Sequence, residues 1–274
     1  MKRLLVLLTL FGVTLSGGVQ AEESIRVGGT GIGTLLLQRM IDSYSKVRLD
    51  VNAKTMVPPL GSNGGLRALA SGAIDIAVAT IPSSFPTASE NEATNKIIPW
   101  VRTPFIFTGR DVVSGTRLTL GQVAEIYSGR FAQWADGKPV RLITRTERES
   151  DTRLLRAISR EMNEAMTMAS KRTGMPFAEN DIDNQQLLER VPGSFGAIGL
   201  GQVLLSDSPL KPISLDGVLP SVENLISGVY RMEKPLYLIV SKSPSPATLE
   251  FIQYLHSPDV LAAIRRYGFI PMPR

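Results

Sequence analysis

Short apolar runs alternate with amphipathic segments along the chain, a pattern that predicts β-strands separated by α-helices. In the first third of the chain, the pattern predicts strands at 24–27, 49–53 and 74–79, with helices at 35–45 and 66–71 between them. The strand at 74–79 is apolar at almost every position, which is typical of a parallel sheet that is covered on both faces. We therefore predict an α/β fold of mainly parallel sheets flanked by helices.

Later segments continue this alternation. Thr119 and Gln122 have the spacing of a capping box, so a helix is predicted at 120–127, and Gly129 is predicted to end it. Proline and small polar residues predict a loop at 81–95. The other predicted elements are an extended segment at 100–107, a strand at 140–143, one long helix from 152 to about 170, a helix from Asp181 or Asp183 to Leu188, strands at 197–200 and 236–240, and helices at 246–255 and 258–266.

The first 21 residues have the features of a cleavable signal peptide. Lys2 and Arg3 precede a short apolar stretch at 4–15, and Val19-Gln20-Ala21 has the form of a cleavage site. The apolar stretch is too short to span a bilayer as a helix. We expect a secreted or periplasmic protein whose mature chain begins near Glu22.

Composition argues against several functional classes. Removal of Lys2 and Arg3 lowers the net charge by two, from +5 to +3, and the other basic residues are scattered, so we expect no nucleic-acid partner. The chain has no cysteine and a single histidine, His256, so neither disulfides nor a zinc or haem cofactor is expected. Without a G-x-S-x-G motif or a cluster of metal ligands or nucleophiles, we do not expect a hydrolase.

The segment at 145–155 joins a strand end to a helix start. The free backbone N–H groups at such a turn, together with the positive end of the helix dipole, favour an anion. The hydroxyls of Ser150 and Thr152 lie in this turn, beside the carboxylates of Glu149 and Asp151. The alternative is that Ser150, Asp151 and Thr152 simply cap a surface helix.

Two earlier strand-to-helix turns have related features. The glycine-rich turn at 28–34 lets backbone amides approach an anion closely, and an ordinary tight turn explains it equally well. Ser62 either caps the helix that follows or offers its hydroxyl to a ligand. Ligands of open α/β sheets bind at the edge where such turns lie.

Several blocks of the sequence, in order, resemble the periplasmic phosphate-binding proteins of ABC transporters. The block at 118–130, with Trp134 beyond it, is the most specific match. The other blocks are the loop, helix and strand at 61–77, the turn at 191–199, the segment at 230–238, and Gly268-Phe269-Ile270-Pro271. Together they cover nearly the whole chain after residue 21.

The resemblance implies a two-lobed periplasmic-binding-protein fold. Each lobe would be a mainly parallel sheet flanked by helices, and two hinge crossings would join the lobes. Residues 22–106 and 229–274 would form the first lobe, and residues 107–228 would form the second. The ligand would lie in the cleft between the lobes, and the segment at 230–238 would belong to the hinge.

The resemblance also implies which residues contact the ligand. The family's G-S-G-T turn corresponds to Glu149-Ser150-Asp151-Thr152, so two glycines are replaced by carboxylates. The family's arginine matches Arg145 only with an offset of one residue, which makes Arg148 a rival, and Thr80 stands where many members have an aspartate or an arginine. The implied ligand-binding residues are Thr30, Gly31, Ile32, Ser62, Thr80, Arg145, Arg148, Ser150, Asp151 and Thr152.

The carboxylate of Asp151 raises the question of selectivity. A carboxylate about 4 Å from an oxyanion costs on the order of 4 kcal/mol per charge pair near a surface. Hydrogen phosphate carries a proton that a carboxylate can accept, whereas sulfate carries none. Our hypothesis is that Asp151 takes the proton-accepting role that Thr80 leaves vacant. The alternative is that Asp151 points away and only caps the helix.

These observations predict a binding protein and not an enzyme. We expect a monomeric extracytoplasmic receptor that captures phosphate or a similar tetrahedral oxyanion for an ABC permease in the inner membrane. The alternative is a scaffold with a signalling or structural role that keeps the fold but has lost transport of a free anion. The carboxylates of Glu149 and Asp151 are the features that favour this alternative.

Overall fold

The computed structural model describes residues 23–80 and 95–273. The strands are β1 Glu23–Gly29, β2 Val51–Thr55, β3 Ile76–Ala79, β4 Asn95–Thr108, β5 Arg117–Leu118, β6 Arg141–Leu142, β7 Thr144–Arg145, β8 Phe177–Ala178, β9 Ser194–Gly199, β10 Ser214–Leu215, β11 Glu233–Ser241 and β12 Ile270–Pro271. The helices are α1 Gly31–Tyr44, α2 Gly61–Ala70, α3 Leu120–Ser128, α4 Ser150–Ala157, α5 Arg160–Ala169, α6 Asp181–Arg190, α7 Leu200–Leu205, α8 Val222–Ile226, α9 Pro246–Leu255 and α10 Pro258–Arg265. The predicted signal peptide at 1–21 and the predicted loop as far as residue 94 lie outside the described residues.

A mixed sheet runs through the molecule in the order β2-β1-β3-β11-β4-β9-β6, with β12 paired to β4. β1 is parallel to β2 and β3, which is the arrangement that two successive strand–helix–strand units give. β11 is antiparallel to β3 and β4, and β9 is antiparallel to β4. Helices pack against this sheet, so the α/β fold predicted from the sequence is confirmed.

Two large hydrophobic cores lie along the sheet. The first core packs β1, β3 and β11 against α1, α9 and α10, and its fully buried members include Ile25, Leu36, Trp100, Leu238 and Phe251. The second core packs β4 and β9 against α3 and α5, and its members include Phe107, Val123, Met162, Ala165 and Phe195. The lobe boundaries at 106/107 and 228/229 remain a prediction.

Strand β4, and the segment that runs from Tyr230 through β11, connect the two cores. β4 contributes Trp100 to the first core and Phe107 to the second. Just before β11, Tyr230 donates its hydroxyl to the Phe105 carbonyl at 2.6 Å, and the Met232 carbonyl accepts the Phe105 N–H at 3.0 Å. These bonds hold the chain segments together where they pass between the cores.

Several predicted element ends are wrong, for local physical reasons. α1 and α2 begin at Gly31 and Gly61, four and five residues before their predicted starts, because the glycine-containing turns already form part of the helices. The single long helix predicted from 152 is broken into α4 and α5. Ser159 has an extended backbone and its hydroxyl accepts the Met162 N–H at 3.0 Å, so it caps a new helix.

Other local predictions are confirmed. Thr119 and Gln122 form both hydrogen bonds of a capping box at the start of α3, and Gly129 ends the helix in the left-handed conformation with φ of 86°. α9 and α10 each begin with a proline. Among the described helices, none has both the length and the apolar character that a membrane span requires.

Candidate functional site

The first turns of α1 and α2 face those of α4 and α6. At α2, a Cβ placed on Gly61 would lie 3.3 Å from Glu149 Oε1, and Asn63 Nδ2 donates to the Arg148 carbonyl at 3.1 Å. At α1, Thr30 and Ile32 contact the first residue of α6. The positive ends of several helix dipoles therefore surround one region of the molecule.

A buried arginine lies at the centre of this region. The side chain of Arg145, at the end of β7, is only 7% exposed and contacts three carboxylates. Its Nη1 lies 2.8 Å from Asp151 Oδ2 and 2.7 Å from Asp181 Oδ1. Its Nη2 lies 2.7 Å from Glu149 Oε2. Such paired, charge-assisted contacts are what allows an ion to be buried.

Lys234 of β11 is a second buried cation in the same cluster. Its side chain is fully buried, and its Nζ lies 2.6 Å from Asp151 Oδ1 and 2.9 Å from Asp181 Oδ1. Asp151 and Asp181 therefore each bridge both cations. With Glu149 included, three carboxylates face two cations, so the cluster has an excess of negative charge when all its members are ionised. We call these five residues the charge cluster.

Asp181 also occupies the start of α1. Its Oδ2 accepts the Thr30 hydroxyl at 2.5 Å and the Ile32 N–H at 3.0 Å. A Cβ placed on Gly31 would lie 2.8 Å from the Asp181 Cβ, so only glycine allows this close approach. The anion position predicted at Thr30, Gly31 and Ile32 therefore holds a carboxylate of the chain itself.

Burial and neighbouring charges set the protonation of the charge cluster. Burial alone would raise the pKa of Asp181, but Lys234 and Arg145 outweigh it and hold the pKa well below its usual range. Burial alone would lower the pKa of Lys234, but Asp151 and Asp181 raise it above its ordinary value. Glu149 differs, because burial raises its pKa and Arg145 only partly offsets this effect. Asp181 and Lys234 are therefore both charged at neutral pH.

The structure distinguishes between the two rival arginines. Arg145 lies in the charge cluster, whereas the Arg148 side chain is exposed and its residue reaches α2 through the backbone carbonyl. Arg148 is three positions nearer the start of α4 than Arg145 is, but its side chain is exposed to solvent. The offset of one residue from the family pattern therefore does not keep Arg145 out of the site.

The interpretation of the turn before α4 as a plain surface cap is wrong. Glu149 is the N-cap residue, so Ser150, Asp151 and Thr152 form the first helical turn, and all three are buried. The Thr152 hydroxyl donates to the Thr146 carbonyl at 2.8 Å. Asp151 faces the charge cluster, so the alternative that it points away is also wrong.

Thr80 contacts Ser62, which lies in the first turn of α2. The Thr80 N–H donates to Ser62 Oγ at 3.1 Å, and both residues are buried. Thr80 Oγ1 has no hydrogen-bond partner within the described part of the chain. A buried hydroxyl in this state is available to a ligand.

Asp181 and Lys234 are missing from the site predicted from the sequence. The sequence predicts Asp181 only as a helix start and Lys234 only as part of the segment at 230–238. Their contacts are long-range, since Asp181 lies 151 positions from Thr30 and 53 positions from Lys234. The one local signal is a lysine beside the apolar run of β11, because a buried lysine requires a charged partner.

The sequence and the fold match a known family. Residues 16–259 match the family described as PBP superfamily domain. The match covers well over half of the chain. The chain belongs to the PBP superfamily. Among curated proteins, it is 29% identical over 82 residues to phosphate-binding protein PstS 2 of Streptococcus agalactiae serotype V. This alignment covers 30% of the chain and only 27% of that relative.

Solved structures show the PBP-superfamily fold over most of the chain. A proposed phosphate ABC transporter substrate-binding protein from Clostridium perfringens, with phosphate bound, has a TM-score of 0.77 at 16% identity, covering 92% of this chain and 100% of that one. An ABC-type phosphate transport receptor from Vibrio cholerae has a TM-score of 0.65 at 19% identity, covering 91% of this chain and 100% of that one. At these identities, the likeness establishes the fold alone.

Proposed function

We propose that this protein is an extracytoplasmic solute-binding protein that captures phosphate or a similar tetrahedral oxyanion between its two cores. It would deliver the anion to an ABC permease in the inner membrane. One observation supports this most directly. The Asp181 carboxylate, itself an oxyanion, is held by a hydroxyl, a helix N-terminal N–H, a guanidinium and an ammonium. These are the groups with which proteins replace the hydration shell of an anion.

The relatives support phosphate as the ligand class. PstS 2 is named as a phosphate-binding protein, and the Clostridium perfringens protein contains phosphate. In this chain, the phosphate oxygens would take the position of the Asp181 carboxylate. The residues that we assign to the ligand are Thr30, Gly31, Ile32, Ser62, Thr80, Arg145, Ser150, Asp151 and Thr152, with Lys234 added.

Uptake of a buried ligand requires the cleft to open. We assign residues 22–106 and 229–274 to one lobe and 107–228 to the other, with β4 and β11 as the hinge. This division is supported by the two cores, because β4 and the continuous segment from Tyr230 through β11 each contribute side chains to both cores. The protein would act as a periplasmic or secreted monomer by binding and release, without a chemical step.

A thermal unfolding screen tests the ligand class. Phosphate at about 100 times its Kd should stabilise the folded protein by about 2.7 kcal/mol and raise Tm accordingly. Sulfate, molybdate and organic phosphates form the comparison set, and chloride at matched ionic strength controls for screening. Absence of a shift with every oxyanion would contradict the proposal and favour the scaffold alternative.

Selectivity between phosphate and sulfate tests the role of Asp151. If Asp151 accepts a phosphate proton, Asp151→Gly should lose about 1.5 to 3 kcal/mol of the preference for phosphate, the usual contribution of a charged hydrogen bond. Titration calorimetry with both anions measures this preference. Glu147→Gly is the matched control, because Glu147 pairs with Arg156 and not with the charge cluster. Unchanged selectivity in Asp151→Gly would rule out the hypothesis.

A further inference from the structure

Asp181 joins parts of the chain that the proposed function requires to separate. Its Oδ2 accepts the Thr30 hydroxyl and the Ile32 N–H, at the start of a helix in the first core. Its Oδ1 lies 2.7 Å from Arg145 Nη1 and 2.9 Å from Lys234 Nζ. One carboxylate therefore satisfies four donors that an incoming anion would also need.

The donors at the start of α1 are covered by Asp181. Thr30 and Ile32 are only 2% and 0% exposed, and Asp181 Oδ2 accepts both the Thr30 hydroxyl and the Ile32 N–H. The described residues that line the cavity beside Arg145, Asp151 and Thr152 do not include Thr30 or Ile32, so this cavity gives no access to those donors. An external oxyanion can therefore reach Thr30 and Ile32 only after the Asp181 side chain has withdrawn.

Charge balance also favours an exchange of the Asp181 carboxylate for the incoming anion. The charge cluster already holds three carboxylates against two cations, so adding an anion would increase the buried negative charge. Replacing the Asp181 carboxylate by a singly charged anion leaves the charge of the cluster unchanged. Replacing it by a doubly charged anion adds one negative charge to a buried region.

We propose that Asp181 is an internal competitor for the oxyanion site and a specificity-determining residue of this receptor. For its ligand, the inference rests on the proposed function. Without a ligand, the Asp181 carboxylate fills the site and holds the cleft closed. A ligand binds by exchange with this carboxylate, which lowers affinity for all anions and favours singly charged ones, such as dihydrogen phosphate or a phosphate monoester monoanion.

Phosphate titrations of Asp181 variants test the competition. Asp181→Ala and Asp181→Asn should bind phosphate about tenfold or more tightly than the wild type, because removal of an internal competitor increases the binding-competent fraction. Asp183→Ala is the matched control in the same helical turn. Asp183 accepts the Glu179 N–H outside the charge cluster, so its variant should bind phosphate as the wild type does. Asp181→Asn keeps the size of the side chain, so the comparison remains available if Asp181→Ala does not fold.

Acetate gives a second readout that does not depend on phosphate. Acetate should raise the Tm of Asp181→Ala and leave that of the wild type unchanged, relative to chloride at equal ionic strength, because it can fill the position of the missing carboxylate. Equal phosphate affinity in wild type and Asp181 variants would overturn the inference and leave the proposed function intact. If neither the wild type nor the Asp181 variants bind phosphate but acetate stabilises Asp181→Ala, the proposed function fails. The inference that the Asp181 carboxylate occupies an anion site is then still supported. Absence of both effects would overturn the inference.

Discussion

Lys234→Met should lower the free energy of unfolding by about 3 to 5 kcal/mol, the usual cost of removing one partner from a buried ion pair. Lys234 is fully buried, and its Nζ contacts the carboxylates of both Asp151 and Asp181. Without it, Arg145 would be the one cation facing three carboxylates in the charge cluster. Urea-induced unfolding at pH 7 measures the change.

The pH dependence of this effect follows from the pKa shifts. The pKa of Asp181 is lowered, so its stabilising contribution is present above its unfolded pKa of about 3.9 and is lost as the pH falls through the folded value. The pKa of Lys234 is raised, so its contribution is present below its unfolded pKa of about 10.4 and is lost as the pH rises through the folded value. The difference between wild type and Lys234→Met should therefore be largest between about pH 4 and pH 10.

Lys242→Met is the matched control for this prediction. Lys242 follows the end of β11 and is exposed, so its replacement should change the free energy of unfolding by less than about 0.5 kcal/mol. A loss below about 1 kcal/mol in Lys234→Met, close to that of a surface pair, would show that the lysine does not hold the carboxylates together in solution.

Arg145→Ala should reduce phosphate affinity by about 100-fold or more, because hydrogen bonds from a charged donor contribute about 1.5 to 3 kcal/mol each and Arg145 offers two nitrogens to the site. The same variant should also lower Tm, since Glu149, Asp151 and Asp181 lose a shared partner. Titration calorimetry and thermal unfolding measure the two effects separately.

Two further variants identify the cause of that loss. Arg148→Ala should bind phosphate nearly as the wild type does, because its side chain is exposed and its carbonyl remains in place. Arg145→Lys keeps one positive charge but lacks the planar fork that reaches three carboxylates, so it should recover only part of the affinity. Stronger impairment in Arg148→Ala than in Arg145→Ala would reverse the assignment of the two arginines.

Local sequence features were sufficient for much of the fold. The capping box at Thr119, the left-handed Gly129 and the N-terminal prolines of α9 and α10 are all recognisable from residues that are neighbours in sequence. Ser159 is a position at which local sequence features did not predict the structure. The helical periodicity continues across it, so the break between α4 and α5 becomes visible only when its hydroxyl is seen to accept the Met162 N–H.

The candidate site also contains residues that the sequence predicted and choices that only the structure could decide. The resemblance to phosphate-binding proteins pointed to Thr30, Arg145 and Asp151, because these positions lie in recognisable strand-to-helix turns. The choice between Arg145 and Arg148 required the tertiary structure, since both are basic residues of one turn and only burial separates them.

The sequence by itself determined the α/β fold, the family resemblance and the turns at which an anion would be held, because each depends on short-range patterns. The tertiary structure alone decided what fills that position. Asp181 reaches Thr30 across 151 positions, and Lys234 contacts the Asp181 carboxylate from a third segment of the chain. No local pattern encodes these distances, because they arise only when the sheet brings β11 and the first turns of α1 and α6 together.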